Sequence, residues 1–132
     1  MMETAYSAAA GFAGSVRLFP HSMSGTGSAI VAFSTFADVE TARKVARTLV
    51  EERLVACANI MPQVESIYRW QDRIESNPEV VVMFKTTRDR YTDFEQRLRA
   101  LHSYEVPEII ALNPVAGLPA YLDWITESVS PA

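Results

Sequence analysis

The chain has 132 residues, 48% hydrophobic and 21% charged, a balance that fits one soluble globular domain. Twelve Lys and Arg face 16 Asp and Glu, a net charge of -4, so the basic excess that a general nucleic-acid binder needs is missing. The single cysteine, Cys57, excludes an intrachain disulfide framework and a multi-cysteine zinc module, and apolar runs such as Val80 to Phe84 stop at five residues, far short of the roughly 20 of a membrane-spanning helix.

Residues 1–27 read as a mostly flexible tail, separate from a folded domain over 28–132. Four of the five glycines (Gly11, Gly14, Gly25, Gly27) lie in this stretch, with only Glu3 and Arg17 charged, and no helical or strand period holds. A secretory signal needs a positive start and an unbroken apolar stretch. Here the start carries Glu3, and Gly11 and Gly14 interrupt the apolar residues. Met23 offers an alternative start. With one free thiol and no signal, the expected compartment is the cytoplasm.

Ala29 to Thr35 is a short apolar run and reads as a buried strand. Asp38 offers an oxygen to the free amides of a helix start. Val39, Ala42, Val45, Ala46, Leu49 and Val50 then recur at three- and four-residue spacing, which predicts a helix from Val39 to Arg53. Leu54 to Met61 and Val64 to Trp70 read as strand, with a bulge or bend at Pro62. Gln71-Asp72-Arg73 is a polar turn, and Ile74 to Thr87 is the return strand of one long hairpin. Pro78 inside it implies an edge or bulge. Tyr91, Phe94, Leu98 and Leu101 form one stripe of a helix over Asp89 to His102. Glu108 to Asn113 is a fourth strand, and a last short helix carries Tyr121, Leu122, Trp124 and Ile125.

This order is β-α-β-β-α-β plus a terminal helix, an α+β fold of the split, ferredoxin-like kind. Both helices of such a fold cover one face of the sheet. Strand residues of both parities are apolar here (Ile30 and Val31; Val81 and Val82), so the other face and the projecting hairpin want a partner. A symmetric homo-oligomer answers that need.

The sequence contains no nucleophile elbow, phosphate loop, dinucleotide fingerprint or paired-cysteine motif, which argues against a nucleotide-hydrolysing enzyme. The densest polar-aromatic stretch is His102-Ser103-Tyr104-Glu105-Val106-Pro107-Glu108. His102 suits a copper, nickel or zinc ligand or a proton carrier, and equally a helix-end residue on the last carbonyls. Glu108 suits a ligand, a base or a solvated charge. Cys57, in L-V-A-C-A-N-I, reads as a buried inert thiol or a soft-metal ligand. Tyr68 and Trp70 near the hairpin tip suit interface packing. Lys85 can snorkel outward or bind an anion, and Asn59 can satisfy backbone groups.

Five ordered segments, L-V-A-C-A-N-I-M-P (Leu54 to Pro62), S-I-Y-R-W (Ser66 to Trp70), F-K-T-T (Phe84 to Thr87), H-S-Y-E-V-P-E-I-I-A-L (His102 to Leu112) and Y-L-D-W-I (Tyr121 to Ile125), together resemble the CutA divalent-cation tolerance family. The resemblance covers Ile30 to about Val129. It implies a ferredoxin-like protomer in a tight PII-like homotrimer, and a non-enzymatic role in tolerance of divalent metals, copper especially. The copper pattern of some members uses a cysteine at the end of the first strand and a His-His pair. Here those positions read Ser34 and Leu101-His102, so only His102 remains of the set. Cys57 and Glu79 fall on other positions connected with metal contact, giving His102, Cys57 and Glu79 as candidate metal residues. Asn59, Tyr68, Trp70, Lys85, Tyr104 and Glu108 are the candidate lining of an inter-subunit cleft for a metal ion or small effector. Two alternatives stand beside this. An adaptor trimer would hold partner proteins through its tail or hairpins. An acylphosphatase-like hydrolase would want a glycine-rich loop with an arginine after the first strand, where this chain has S-T-F-A-D.

Overall fold

The structure, a computed structural model, describes residues 28–131, so the tail expected over 1–27 lies outside the described residues. Seven elements follow in order: β1 (Ala29–Phe36), α1 (Val39–Glu51), β2 (Cys57–Trp70), β3 (Arg73–Thr87), α2 (Arg88–Leu101), β4 (Ile110–Leu112) and α3 (Pro119–Ser128). The strands form one sheet in the order β2-β3-β1-β4, with every neighbouring pair antiparallel. This is the split, ferredoxin-like arrangement the element order predicts.

α1 starts where Asp38, in extended backbone, accepts a hydrogen bond from the Thr41 N–H at 2.8 Å. It ends two residues earlier than its periodicity suggests. Arg53 takes the left-handed conformation (φ 61°), its N–H bonds to the Val50 carbonyl, and the Leu54 N–H reaches back to the Leu49 carbonyl, both at 3.0 Å. That is a Schellman ending. The sequence conceals it because the position holds Arg, not the usual Gly. Leu49 and Leu54 are buried in the same cluster, as the motif's apolar contact requires. The chain reversal uses up Leu54 to Ala56, so β2 begins only at Cys57.

β2 runs through Pro62 as one strand, and its register with β3 shifts between Met61 and Val64, the bulge expected there. Its place at the sheet edge is one a proline tolerates. Pro78 lies opposite Glu65, beyond the Phe36–Val80 pair where β1 stops, so β3 also has an open edge at that point. The hairpin closes on two residues rather than three. Gln71 (φ 52°) and Asp72 (φ 66°) are both left-handed, the signature of a type I′ turn, which favours Asn-Gly. Gln71→Asn with Asp72→Gly removes most of the strain of two L-residues held there. The double variant is expected to gain about 1 kcal/mol in chemical denaturation with an unchanged slope.

One face of the sheet carries the main core. Phe36, Val82 and Phe84 are fully buried against Ala42, Leu49, Phe94 and Leu98 of α1 and α2, and the Phe84 and Phe94 rings meet edge to face at 5.2 Å. The opposite face is covered only at one end, where Leu122, Ile125 and Val129 of the α3 region pack on Ala29 and Ala56. Beyond that end, among the described residues, no helix packs over the row Met83–Phe33–Ile110 and the pair Val31–Leu112. Ile110 and Leu112 are 54% and 56% exposed. The free hairpin exposes Ile67, Trp70 and Ile74 as well. Among the described residues, no helix is long and apolar enough to cross a membrane.

Candidate functional site

The candidate residues divide between two places. The first lies where α2 ends. His102 follows the helix as its cap, with its N–H on the Leu98 carbonyl. Its ring does not turn to those last carbonyls. It stacks on Phe36 (centroids 4.4 Å apart, planes at 12°) and its Nε2 sits 2.8 Å from the carbonyl oxygen of Thr35 in β1. Nδ1 accepts the Tyr104 N–H at 3.1 Å. These two partners fix the tautomer: Nε2 carries the proton and Nδ1 the lone pair. Burial lowers the imidazole pKa below its ordinary 6.5, while the Thr35 carbonyl and the Glu79 charge oppose that shift. The Tyr104 hydroxyl donates to Glu79 Oε2 at 2.7 Å. Burial first, then Glu79, pushes the Tyr104 phenol well above its usual range.

The second place is a cross-strand pair beside α3. Cys57 of β2 lies directly opposite Lys85 of β3. The Lys85 side chain is buried, with only 5% of the residue exposed, and its Nζ donates to Asn59 Oδ1 at 2.7 Å and approaches Cys57 Sγ at 3.7 Å. Cys57 Sγ also lies 3.7 Å from Asn59 Oδ1 and 4.0 Å from the Tyr121 hydroxyl. The ammonium stands 5.9 Å from the Tyr121 ring centre, a cation–π distance. Burial raises the Tyr121 pKa, Cys57 adds to this, and Lys85 opposes it.

The three candidate metal residues therefore do not converge in one chain. His102 and Glu79 share Tyr104 between them, whereas Cys57 belongs to the Lys85 cluster. Among the described residues no group of three or more His, Cys, Asp or Glu side chains is placed to hold a metal ion. Both His102 nitrogens already have partners, and a cation beside Cys57 would meet the Lys85 ammonium. Copper thus finds no fitting donor set among the described residues of one chain. Of the candidate cleft residues, Asn59 and Lys85 come together. Tyr104 faces Glu79. Tyr68 accepts from Asn77 Nδ2 at 2.6 Å on the hairpin arm. Trp70 at the tip is 58% exposed, and Glu108 is exposed before β4, so neither joins these clusters within the chain. Tyr121 is not among the residues that the sequence marks as a candidate, although it opens the Y-L-D-W-I segment. Only the docking of α3 brings it to Cys57.

Ser34 faces the helix side, fully buried, and its hydroxyl has no hydrogen-bond partner. A buried unpaired hydroxyl is unfavourable. Ser34→Ala is therefore expected to raise stability by about 1 kcal/mol, read as a higher denaturation midpoint.

Residues 30–128 match the CutA1 divalent ion tolerance protein family. The chain belongs to the CutA1 family. It is 45% identical over 98 residues to the divalent-cation tolerance protein CutA of Thermus thermophilus, spanning 74% of this chain and 95% of that one. It is 44% identical over 107 residues to the CutA protein of Mus musculus, covering 79% of this chain but only 60% of the mouse protein. The solved structure of the Thermus thermophilus divalent cation tolerance protein aligns with a TM-score of 0.74 at 44% identity, over 76% of this chain and 97% of that one. The solved Thermus thermophilus structure and the chain share the fold described above, and the family is named for tolerance of divalent ions, not for a catalysed reaction.

Proposed function

We propose that this CutA1 chain works as a non-enzymatic homotrimer in the response to divalent cations, with inter-subunit clefts that take a small effector. The observation that carries this reading is the open sheet face. Half-buried Val31, Phe33, Val81 and Met83, with exposed Ile110 and Leu112, form an apolar surface on the side away from α1 and α2, and the projecting hairpin separately exposes Ile67, Trp70 and Ile74. Closed cyclic symmetry buries such a surface on every copy at once. The Lys85–Asn59–Tyr121 cluster borders this face at the α3 end. Its ammonium and amide favour an anionic or hydrogen-bonding effector over a bare cation.

Copper is the metal to test against this reading. A native mass spectrum of the full chain, with and without stoichiometric copper, is expected to give three times the 14.7 kDa chain mass. It is expected to show no copper adduct that His102→Ala abolishes. A copper adduct lost in a folded His102→Ala trimer would move the function to direct metal binding. A monomer would overturn the proposed assembly.

A further inference from the structure

Lys85 borders the proposed effector cleft, but effector binding makes no use of the thiol of Cys57 beside it. Antiparallel register places the two residues directly opposite each other, one on each strand. Directly opposed Cβ atoms lie about 4.5–5.5 Å apart. The Ala56 N–H, bonded to the Lys85 carbonyl at 2.7 Å, anchors the same pairing from the backbone. A soft nucleophile and a primary amine are thus held with 3.7 Å between sulfur and nitrogen. The amine is buried and cannot swing to bulk water as a surface lysine does. Cys57 is a half-buried free thiol.

We infer that Cys57 and Lys85 form an oxidation-driven covalent cross-link between β2 and β3. The oxidant is a hydroperoxide. Sulfur attacks its terminal oxygen and the O–O bond breaks. Cys57 becomes a sulfenic acid, and the peroxide leaves as water or an alcohol, its oxygen taking up the thiol's proton. Lys85, having lost one proton to solvent, then attacks the sulfenic sulfur with its nitrogen lone pair. The S–O bond breaks, hydroxide leaves with the second amine proton as water, and a sulfenamide S–N bond remains. One two-electron oxidation is consumed and two hydrogens are lost from the chain. A thiol attacks the sulfur and releases the amine, and a second thiol frees Cys57 from the resulting mixed disulfide.

The cross-link would staple the strand pair next to the Tyr121 contact with α3, and it needs neither trimer nor metal. The test is oxidation of the purified full chain with hydrogen peroxide in the presence of a chelator, followed by tryptic peptide mapping. The expected product joins the peptide containing Cys57 to one that runs uncut through Lys85, about 2 Da lighter than the sum of its parts. Dithiothreitol should restore both peptides and cleavage after Lys85. Lys85→Arg keeps the charge but should not close the bond, and its Cys57 should instead accumulate as a sulfenic acid trapped by dimedone. Three results would overturn the inference: oxygen adducts on Cys57 with normal cleavage after Lys85, a Cys57–Cys57 disulfide between copies, or an unreacted Cys57. If Lys85→Arg does not fold, the wild-type map alone decides.

Discussion

A Phe33→Asp chain is expected to run at 14.7 kDa under conditions where the parent runs at three times that mass. Phe33 occupies the middle of the uncovered face, opposite Met83 on β3 on one side and Ile110 on β4 on the other. In the proposed trimer each copy would bury this position against a neighbour, so one substitution places three carboxylates in an apolar interface. Burying an unpaired ion costs several kcal/mol, and the penalty recurs at every interface. In the separate subunit the same carboxylate meets water, because this side of β1 is not packed under α1 or α2. The fold should therefore survive, with an unchanged far-ultraviolet circular dichroism spectrum. Phe33→Leu keeps an apolar side chain and should keep the trimer. Light scattering that finds a Phe33→Asp trimer would remove the open face from the assembly.

His102→Ala is expected to lower stability by about 2–4 kcal/mol, a large share of the 5–15 kcal/mol available to a domain. The ring fills the space over Phe36, and its loss leaves the Thr35 carbonyl and the Tyr104 N–H without their partner. The same residue sets a pH dependence whose sign follows from its neutral state. Its folded pKa lies below 6.5 because burial disfavours the imidazolium. Between the two values the unfolded chain binds more protons than the folded one, so stability rises with pH there. The contribution is complete above 6.5 and is lost as pH falls through that value toward the folded pKa. The imidazolium would also place a proton on Nδ1, facing the Tyr104 N–H. Denaturation midpoints from about pH 7.5 down to about pH 5 should fall more steeply for the parent than for His102→Phe, which keeps an aromatic ring on Phe36 but does not titrate. Parallel curves for the two proteins would assign the slope to other groups.

The local features were legible because each depends on neighbours in sequence. The three- and four-residue apolar spacing of α1 and α2, the Asp38 cap and the proline bulge at Pro62 all act within a turn or a strand. The places where local patterns mislead have a common cause. Arg53, Gln71 and Asp72 occupy left-handed conformations without the glycine or asparagine that announces them. The buried Leu49 and Leu54 hold Arg53 there, and the β2–β3 pairing that closes at Trp70–Arg73 holds Gln71 and Asp72, against their own preference. β4 shrinks from Glu108–Asn113 to Ile110–Leu112 because only those three residues find β1 beside them.

The site shows the same division. Residue type alone marked His102, Cys57 and Lys85 as chemically capable, and the five ordered segments placed the chain in the CutA1 family and added Tyr104 as a candidate. Whether two such groups meet depends on register and helix docking across long stretches of chain, which no local pattern carries. His102 became a packed, hydrogen-bonded neutral imidazole because Thr35, 67 residues away in sequence, presents its carbonyl to Nε2. Cys57 gained an amine at 3.7 Å because 28 residues of hairpin return Lys85 to the position opposite it. The sequence by itself determined the order of elements and the family. The tertiary structure decided the company each reactive side chain keeps, because only folding fixes distances between residues far apart in the chain.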